Sequence, residues 1–204
     1  MKTVREEIDA VELEKEINEF LIERATKSGG KHTKPGCNLK HGDACVLSTC
    51  HNNIPRATPV DFFYDGDLTL WINAEPGGKI ANIMRNPKVS IGIYERVDHT
   101  VEQKSLQLWG NAEIINLKNN PDLFNEKFIS FGLNEALAGI MEEMVEKGAI
   151  PAKNLKETTE KFTEMINMIK ISAEEITLLH MHPGKSTLRK MWKNGEGFLI
   201  DTGL

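Results

Sequence analysis

Arg56 and Lys79 stand on either side of a Pro76-Gly77-Gly78 turn, and these residues together carry the chemistry of a phosphate site. A phosphate monoester has nearly two negative charges. It is held by guanidinium or ammonium donors and by backbone N–H groups at a helix start, where the helix dipole favours an anion. Consecutive glycines ahead of the helix let the backbone approach such a ligand closely. Taken alone, Pro-Gly-Gly-Lys is also an ordinary turn entering a helix. A nucleotide P-loop is excluded, because Gly78-Lys79 is followed by Ile80 in place of Ser or Thr and the required upstream glycine is Asn73. No GxGxxG follows a predicted strand, so a Rossmann-type cofactor site is not indicated.

Two further groups have ligand chemistry. His32, Cys37, His41, Cys45, Cys50 and His51 are bunched in one segment. They lack a CxxC pair and their spacings are irregular, so no metal site is expected there; cysteine is also a common small buried hydrophobe. The three cysteines are odd in number and no export signal precedes them, which predicts reduced thiols in a cytoplasmic protein. His180 and His182 lie two apart and would share one face of a strand; a structural role is expected for both, with haem ligation as the alternative.

The elements that must position these residues are legible in the pattern of the chain. Asp9 followed by Glu12 has capping-box spacing, and Leu13, Ile17, Phe20 and Leu21 then share one face, predicting an amphipathic helix within residues 1–28, ended by Gly29 and Gly30. Val4, Ile8 and Val11 lie on another face, so a separate short element precedes the helix. Residues 31–43 read as a connector. From residue 43 to 118 the chain is rich in β-branched and aromatic residues cut by turn signals, as in an antiparallel barrel. Strands are predicted at 44–49, 56–64, 68–73, 89–95 and 103–117, with Asn52-Asn53 and Asp65-Gly66-Asp67 as hairpin turns. A short helix is predicted at 76–86, stopped by Pro87. Residues 120–170 keep helical periodicity through Phe124, Phe128, Leu137, Met141, Phe162, Met165, Ile166 and Ile169, predicting a helical insertion. Within 171–204, strands are predicted at 176–181, 188–192 and 197–200.

The 204 residues are 40% hydrophobic with a formal net charge of −5, which fits one domain spanning the chain and argues against a nucleic-acid binder with a basic face. No run of about 18 apolar residues is present, so no membrane span is expected.

Residues 46–115 combine a hairpin carrying Arg56-Ala57-Thr58-Pro59, a strand ending in Trp71-Ile72-Asn73, a Gly-rich turn with Lys79, a short helix, Asn86-Pro87 and two more strands. That order of parts resembles the pyridoxamine 5'-phosphate oxidase-like superfamily. The resemblance implies a six-stranded antiparallel split β-barrel with added helices (α+β), a homodimer, and one FMN at each end of the subunit interface, contacted by both chains. It carries over Arg56, Ala57, Thr58, Pro59, Gly78 and Lys79 as contacts to the flavin phosphate and ribityl chain. Trp71, Ile72 and Asn73 carry over as strand contacts beside the ring, with Trp71 as a wall against it. Ser105 falls where the family often has a flavin-reaching Gln, and Gln107 is its alternative. Leu179 and Arg189 keep the spacing of a family Trp and flavin Arg near the C-terminus; the Arg is retained and the Trp is lost.

The implied function is FMN-dependent oxidoreduction between a reductant such as NADH or NADPH and a small molecule, with no general base identifiable. The alternatives are a non-catalytic flavin-binding or electron-carrier protein, or a member of the same fold that uses haem or a deazaflavin. Pyridoxal phosphate synthesis is not expected. The oxidase has a substrate-holding Lys five residues after the Arg that matches Arg56, where this chain has Asp61. Its Arg-Leu-His triplet before the C-terminal Arg is replaced here by Lys185-Ser186-Thr187.

Overall fold

The computed structural model describes residues 4–27, 44–94, 102–183 and 187–201. Gly29, Gly30, the 31–43 connector with His32, Cys37 and His41, and the pair Lys185-Ser186 lie outside the described residues. The elements in chain order begin with β1 (Val4–Ile8), α1 (Ala10–Lys27), β2 (Ala44–His51), β3 (Ile54–Asp61), β4 (Phe63–Tyr64), β5 (Thr69–Ala74), α2 (Gly78–Arg85), β6 (Lys88–Tyr94) and β7 (Gln103–Ile115). They continue with α3 (Pro121–Ser130), α4 (Leu133–Glu146), a 3-10 turn at Ala152–Asn154, α5 (Leu155–Met165), β8 (Asn167–Met181), β9 (Leu188–Lys193) and β10 (Glu196–Asp201).

Among the described residues all strand pairings are antiparallel, and the sheet does not close on itself. The run β3-β2-β6-β7-β8-β5 is the expected six-stranded split barrel, and β1, β4, β9 and β10 extend it to ten strands among the described residues. The split arises in β8. Its first half pairs with β5 from Asn167 to Ser172, whereas its second half pairs with β9 from Glu175 to His180.

Register decides which side chains face inward. Leu47, Ile91, Leu108 and Ile176 are cross-strand partners in one row, and all four are buried. Because side chains alternate along a strand, Ser48, Ser90, Trp109 and Glu175 form the neighbouring row on the opposite face. The β2–β3 turn places Asn52 and Asn53 at φ 51 and 60, the left-handed pair that a tight hairpin needs and that asparagine tolerates.

Helix α1 covers one side of the core with Leu13, Ile17, Phe20 and Leu21, the face predicted for it. Its start is capped as predicted: Asp9 Oδ1 accepts from the N–H of Val11 at 2.8 Å and of Glu12 at 3.1 Å. The separate element ahead of it is β1, paired with β10 from Val4 to Ile8. Tyr64 hydrogen-bonds Asn18 Oδ1 and so ties α1 to β4.

The helical insertion buries a second cluster, with Phe124, Phe128, Phe131 and Leu133 packed on Phe63, Trp71, Ile115 and Met168. It is shorter than predicted. Helix α5 ends at Met165 and β8 begins at Asn167, so Ile169 belongs to a strand. Met168 faces the helices and Ile169 faces the barrel core, both fully buried. A strand covered on both faces reads as a continuous apolar run and mimics helical periodicity. The predicted 56–64 strand is likewise two, interrupted at the buried Phe62, since β3 pairs with β2 whereas β4 pairs with β5. Among the described residues no helix is long and apolar enough to cross a membrane.

Candidate functional site

Strand β5 delivers the chain to Pro76-Gly77, and α2 starts at Gly78 with extended backbone at its N-cap, Gly77 (φ 169, ψ −169), which has no side chain to cap it. The first helical bond runs from Ala81 N–H to the Gly77 carbonyl at 3.0 Å. The N–H groups of Gly78, Lys79 and Ile80 therefore have no acceptor within the helix, as at any helix start.

The Arg56 guanidinium lies directly against this end. A Cβ on Gly78 would sit 2.9 Å from Arg56 Cζ, 3.0 Å from Nη1 and 3.2 Å from Nη2, so a side chain there would fill the space that the guanidinium uses. Neither Arg56 nor Lys79 has a hydrogen-bond or ion-pair partner among the described residues. The Arg56 guanidinium and three backbone N–H groups without helical acceptors meet at this helix start, with Lys79 in its first turn, an arrangement suited to a dianion.

Local structure explains why they meet. Arg56 is the cross-strand partner of Thr49, and Thr58 that of Leu47, so both share the inward face of β2. Helix α2 is fastened to that strand by Asn82 Nδ2 donating to Thr49 Oγ1 at 3.0 Å and by Asn86 Nδ2 donating to the Cys50 carbonyl at 3.0 Å. Ile80 and Ile83 bury the apolar side of α2. Pro55 and Pro59 are tolerated in β3 because it is an edge strand. A groove of about 450 Å³ runs between β3 and α2, lined by His51, Asn52, Ile54, Pro55, Arg56, Ala57 and Asn82.

The remaining predicted residues divide. Ala57 and Pro59 alternate with Arg56 and Thr58 and point to the opposite face of the sheet. Ser105, Gln107 and Arg189 lie on that outer face too. Ser105 and Arg189 both pair with Leu179 in one row, two strand spacings or about 10 Å apart. Within one chain, the Arg56–Lys79 group and the Ser105–Gln107–Arg189 group are therefore on different faces.

Trp71 requires a correction. Its ring is 2% exposed, packed near Phe131 with centroids 6.3 Å apart and with Lys127 Nζ 5.6 Å from its centroid, so it cannot be a wall for a ligand ring. Alternation along β5 turns Trp71 toward the helical insertion and Ile72 into the barrel core, while Asn73 is exposed. What β5 offers a ligand is backbone: residues 72–74 pair with β8 on one side and, among the described residues, with no strand on the other.

Asn82 was not anticipated. Its position one helical turn after Gly78 was the available signal, since residues four apart on a helix share a face. Cys45 and Cys50 are free thiols, as expected. Burial, with Asp61 nearby, pushes the Cys45 thiol up to about 12, so it is an inert core residue.

The family model for pyridoxamine 5'-phosphate oxidase matches residues 38–131, which contain every predicted site residue except Arg189. No curated protein matches the chain. Among solved structures, a pyridoxamine 5'-phosphate oxidase-related, FMN-binding protein from Nostoc punctiforme is similar at 13% identity with a TM-score of 0.54, over 94% of this chain and 93% of that one. A FAD-binding protein from Mesorhizobium loti aligns at 16% identity and a TM-score of 0.48, over 89% of this chain and 100% of that one. A pyridoxamine 5'-phosphate oxidase-like protein from Listeria innocua aligns at 18% identity and a TM-score of 0.46, over 81% and 97% of the two chains.

Proposed function

As the chain belongs to the pyridoxamine 5'-phosphate oxidase-like split-barrel superfamily, we propose that it is an FMN-binding flavoprotein and a homodimeric oxidoreductase acting on a small molecule. The observation that carries this reading is the Arg56 guanidinium lying against Gly78 at the uncapped start of α2. In this reading Arg56, Lys79 and the backbone N–H groups of residues 78–80 hold the phosphate, and Thr58, on the same face of β3 as Arg56, and Asn82, one helical turn after Gly78, contact the ribityl chain. The open backbone edge of residues 72–74 is the strand contact. A terminal phosphate suits a helix start, which favours FMN over FAD. The flavin supplies hydride or electron transfer with a reductant such as NADH or NADPH, and the protein supplies binding and orientation. Cys45 and Cys50 as free thiols support a cytoplasmic setting. Titration of the protein into FMN tests the reading: the flavin fluorescence should change to a saturable end point. Unchanged fluorescence from a colourless protein would refute it.

The homodimer is supported by the division of the site. Arg56 and Arg189 cannot meet within one chain, whereas the outer face of a second protomer brings its own Ser105, Gln107 and Arg189. That face exposes aromatic side chains, with Tyr94 64% and Trp109 40% exposed. Sedimentation of the flavin-loaded protein should give a dimer, and a flavin-loaded monomer would overturn the shared site.

The substrate is not pyridoxamine or pyridoxine 5'-phosphate. Asp61 ends β3 with an exposed side chain, and a carboxylate there cannot donate to a substrate phosphate and repels it. The FMN-loaded protein incubated in air with either compound should form pyridoxal phosphate far below 1 per second; turnover of about 1 per second or more, an ordinary enzymatic rate, would contradict this.

A further inference from the structure

Glu102, His180 and His182 gather at the end of the sheet remote from α2. Lys104 is the β7 partner of His180, and Ala112, whose N–H bonds the Pro87 carbonyl beside α2, lies eight residues, or about 27 Å, farther along β7. His180 alternates with Leu179, so it also faces away from Ser105 and Arg189.

The two imidazole rings have centroids 4.1 Å apart. Glu102 Oε1 contacts His180 Nε2, and Glu102 Oε2 lies 3.6 Å from His182 Nδ1. One ligand atom from each of the three residues falls within 4.8 Å of the others. Tetrahedral ligands about 2.0 to 2.2 Å from a metal are roughly 3.3 Å apart, so small side-chain rotations would close the set around one ion. On the other side of His180, Glu16 Oε1 is 4.0 Å from Nδ1. Glu16 is itself held by Lys190 at 2.6 Å and Lys104 at 3.9 Å. With Nε2 on a metal, the Nδ1–H would face this carboxylate, the usual outer partner of a metal-bound histidine. As a plain ion-pair cluster it would bring two charged imidazolium rings to 4.1 Å between centroids, where they repel each other. A divalent cation lets both rings bind neutral and takes the carboxylate as third ligand.

We propose that Glu102, His180 and His182 form a site of two histidines and one carboxylate for a first-row divalent cation such as zinc, linking the start of β7 to the end of β8. Glu102 is half-exposed, which leaves the fourth position to water. Glu16 is a positioning residue that orients the His180 ring.

The test uses tag-free, FMN-loaded protein, stripped with a chelator and titrated calorimetrically with zinc chloride. One equivalent should bind per chain. His182→Gln, at the end of β8 where folding is little affected, and His180→Gln should each weaken binding roughly tenfold or more. Glu16→Gln should weaken it roughly ten- to a hundredfold with stoichiometry retained. Cobalt in place of zinc should give visible bands with no thiolate charge-transfer absorption, which separates this site from the cysteine and histidine segment. No saturable binding, wild-type affinity in the His180→Gln/His182→Gln double variant, or a thiolate band would each overturn the proposal. Retained FMN fluorescence changes in every variant would keep a failure here distinct from a failure of the flavin reading.

Discussion

Gly78→Ala should weaken FMN binding roughly tenfold or more while leaving the protein folded. The added methyl would sit 2.9 Å from Arg56 Cζ, closer than carbon atoms approach, so one of the two must move. The guanidinium is the free end of a long side chain on an exposed edge strand, and it moves away at little cost to the fold. Alanine also favours the helix over glycine, by about 1 kcal/mol in an interior position. Stability should therefore hold or rise as affinity falls. Arg56→Ala removes the same cation outright and should cost one charge-assisted hydrogen bond, about 1.5 to 3 kcal/mol, or roughly ten- to a hundredfold in dissociation constant. Because both substitutions act through one guanidinium, the double variant should be no weaker than Arg56→Ala alone. Fluorescence titration beside a thermal melt checks this. Wild-type affinity in Gly78→Ala, or additive losses in the double variant, would place the phosphate elsewhere.

Gly110→Ala should be the most destabilising of the glycine substitutions, by about 3 kcal/mol or more. Gly110 sits where the β7–β8 register shifts: Trp109 pairs with Glu175 and Gly110 with Ala173. A Cβ there would lie 2.1 Å from the Ser172 carbonyl oxygen, 3.0 Å from its carbon and 3.2 Å from Ala173 Cα. These are backbone atoms of the central strand β8, which also pairs with β5 at Ser172. Relief requires pulling apart the ladder on which both halves of the barrel depend. The bulged Glu174 is in turn bonded to Lys88 Nζ at 2.8 Å and Asn111 Nδ2 at 2.5 Å, so the surroundings cannot slide freely. For a chain of this size a loss of about 3 kcal/mol lowers the melting temperature by about 6 to 12 °C. Gly139 in α4 is the control, because a Cβ there meets nothing within 4 Å; Gly139→Ala should hold or slightly raise the melting temperature. A Gly110→Ala melt indistinguishable from wild type would contradict this account of the bulge.

The amino-acid sequence by itself determined the features that depend on neighbours along the chain. Asp9 ahead of an apolar stripe at helical spacing specifies both the start of α1 and the face it buries. Asn52-Asn53 specifies a tight hairpin, and Pro76-Gly77-Gly78 specifies a helix start with no side-chain cap. Each works within a few residues, through φ preference, capping or periodicity, so each is legible without the fold. Only the tertiary structure decided what covers each face and which distant residues meet. Trp71 reads as a wall for a ring, yet the second helical layer buries it against Phe131. Met168 and Ile169 read as helix because that same layer makes β8 apolar on both sides. Arg56 reaches Gly78 because β2 carries both β3 and α2, whereas Arg189 is turned to the other face by the two-residue alternation of β9. Glu102 and His180, 78 residues apart, meet through the register of β7 with β8. Periodicity shows which residues share a face; the pairing of strands and the packing of layers, long-range events that no local window contains, decide what that face meets.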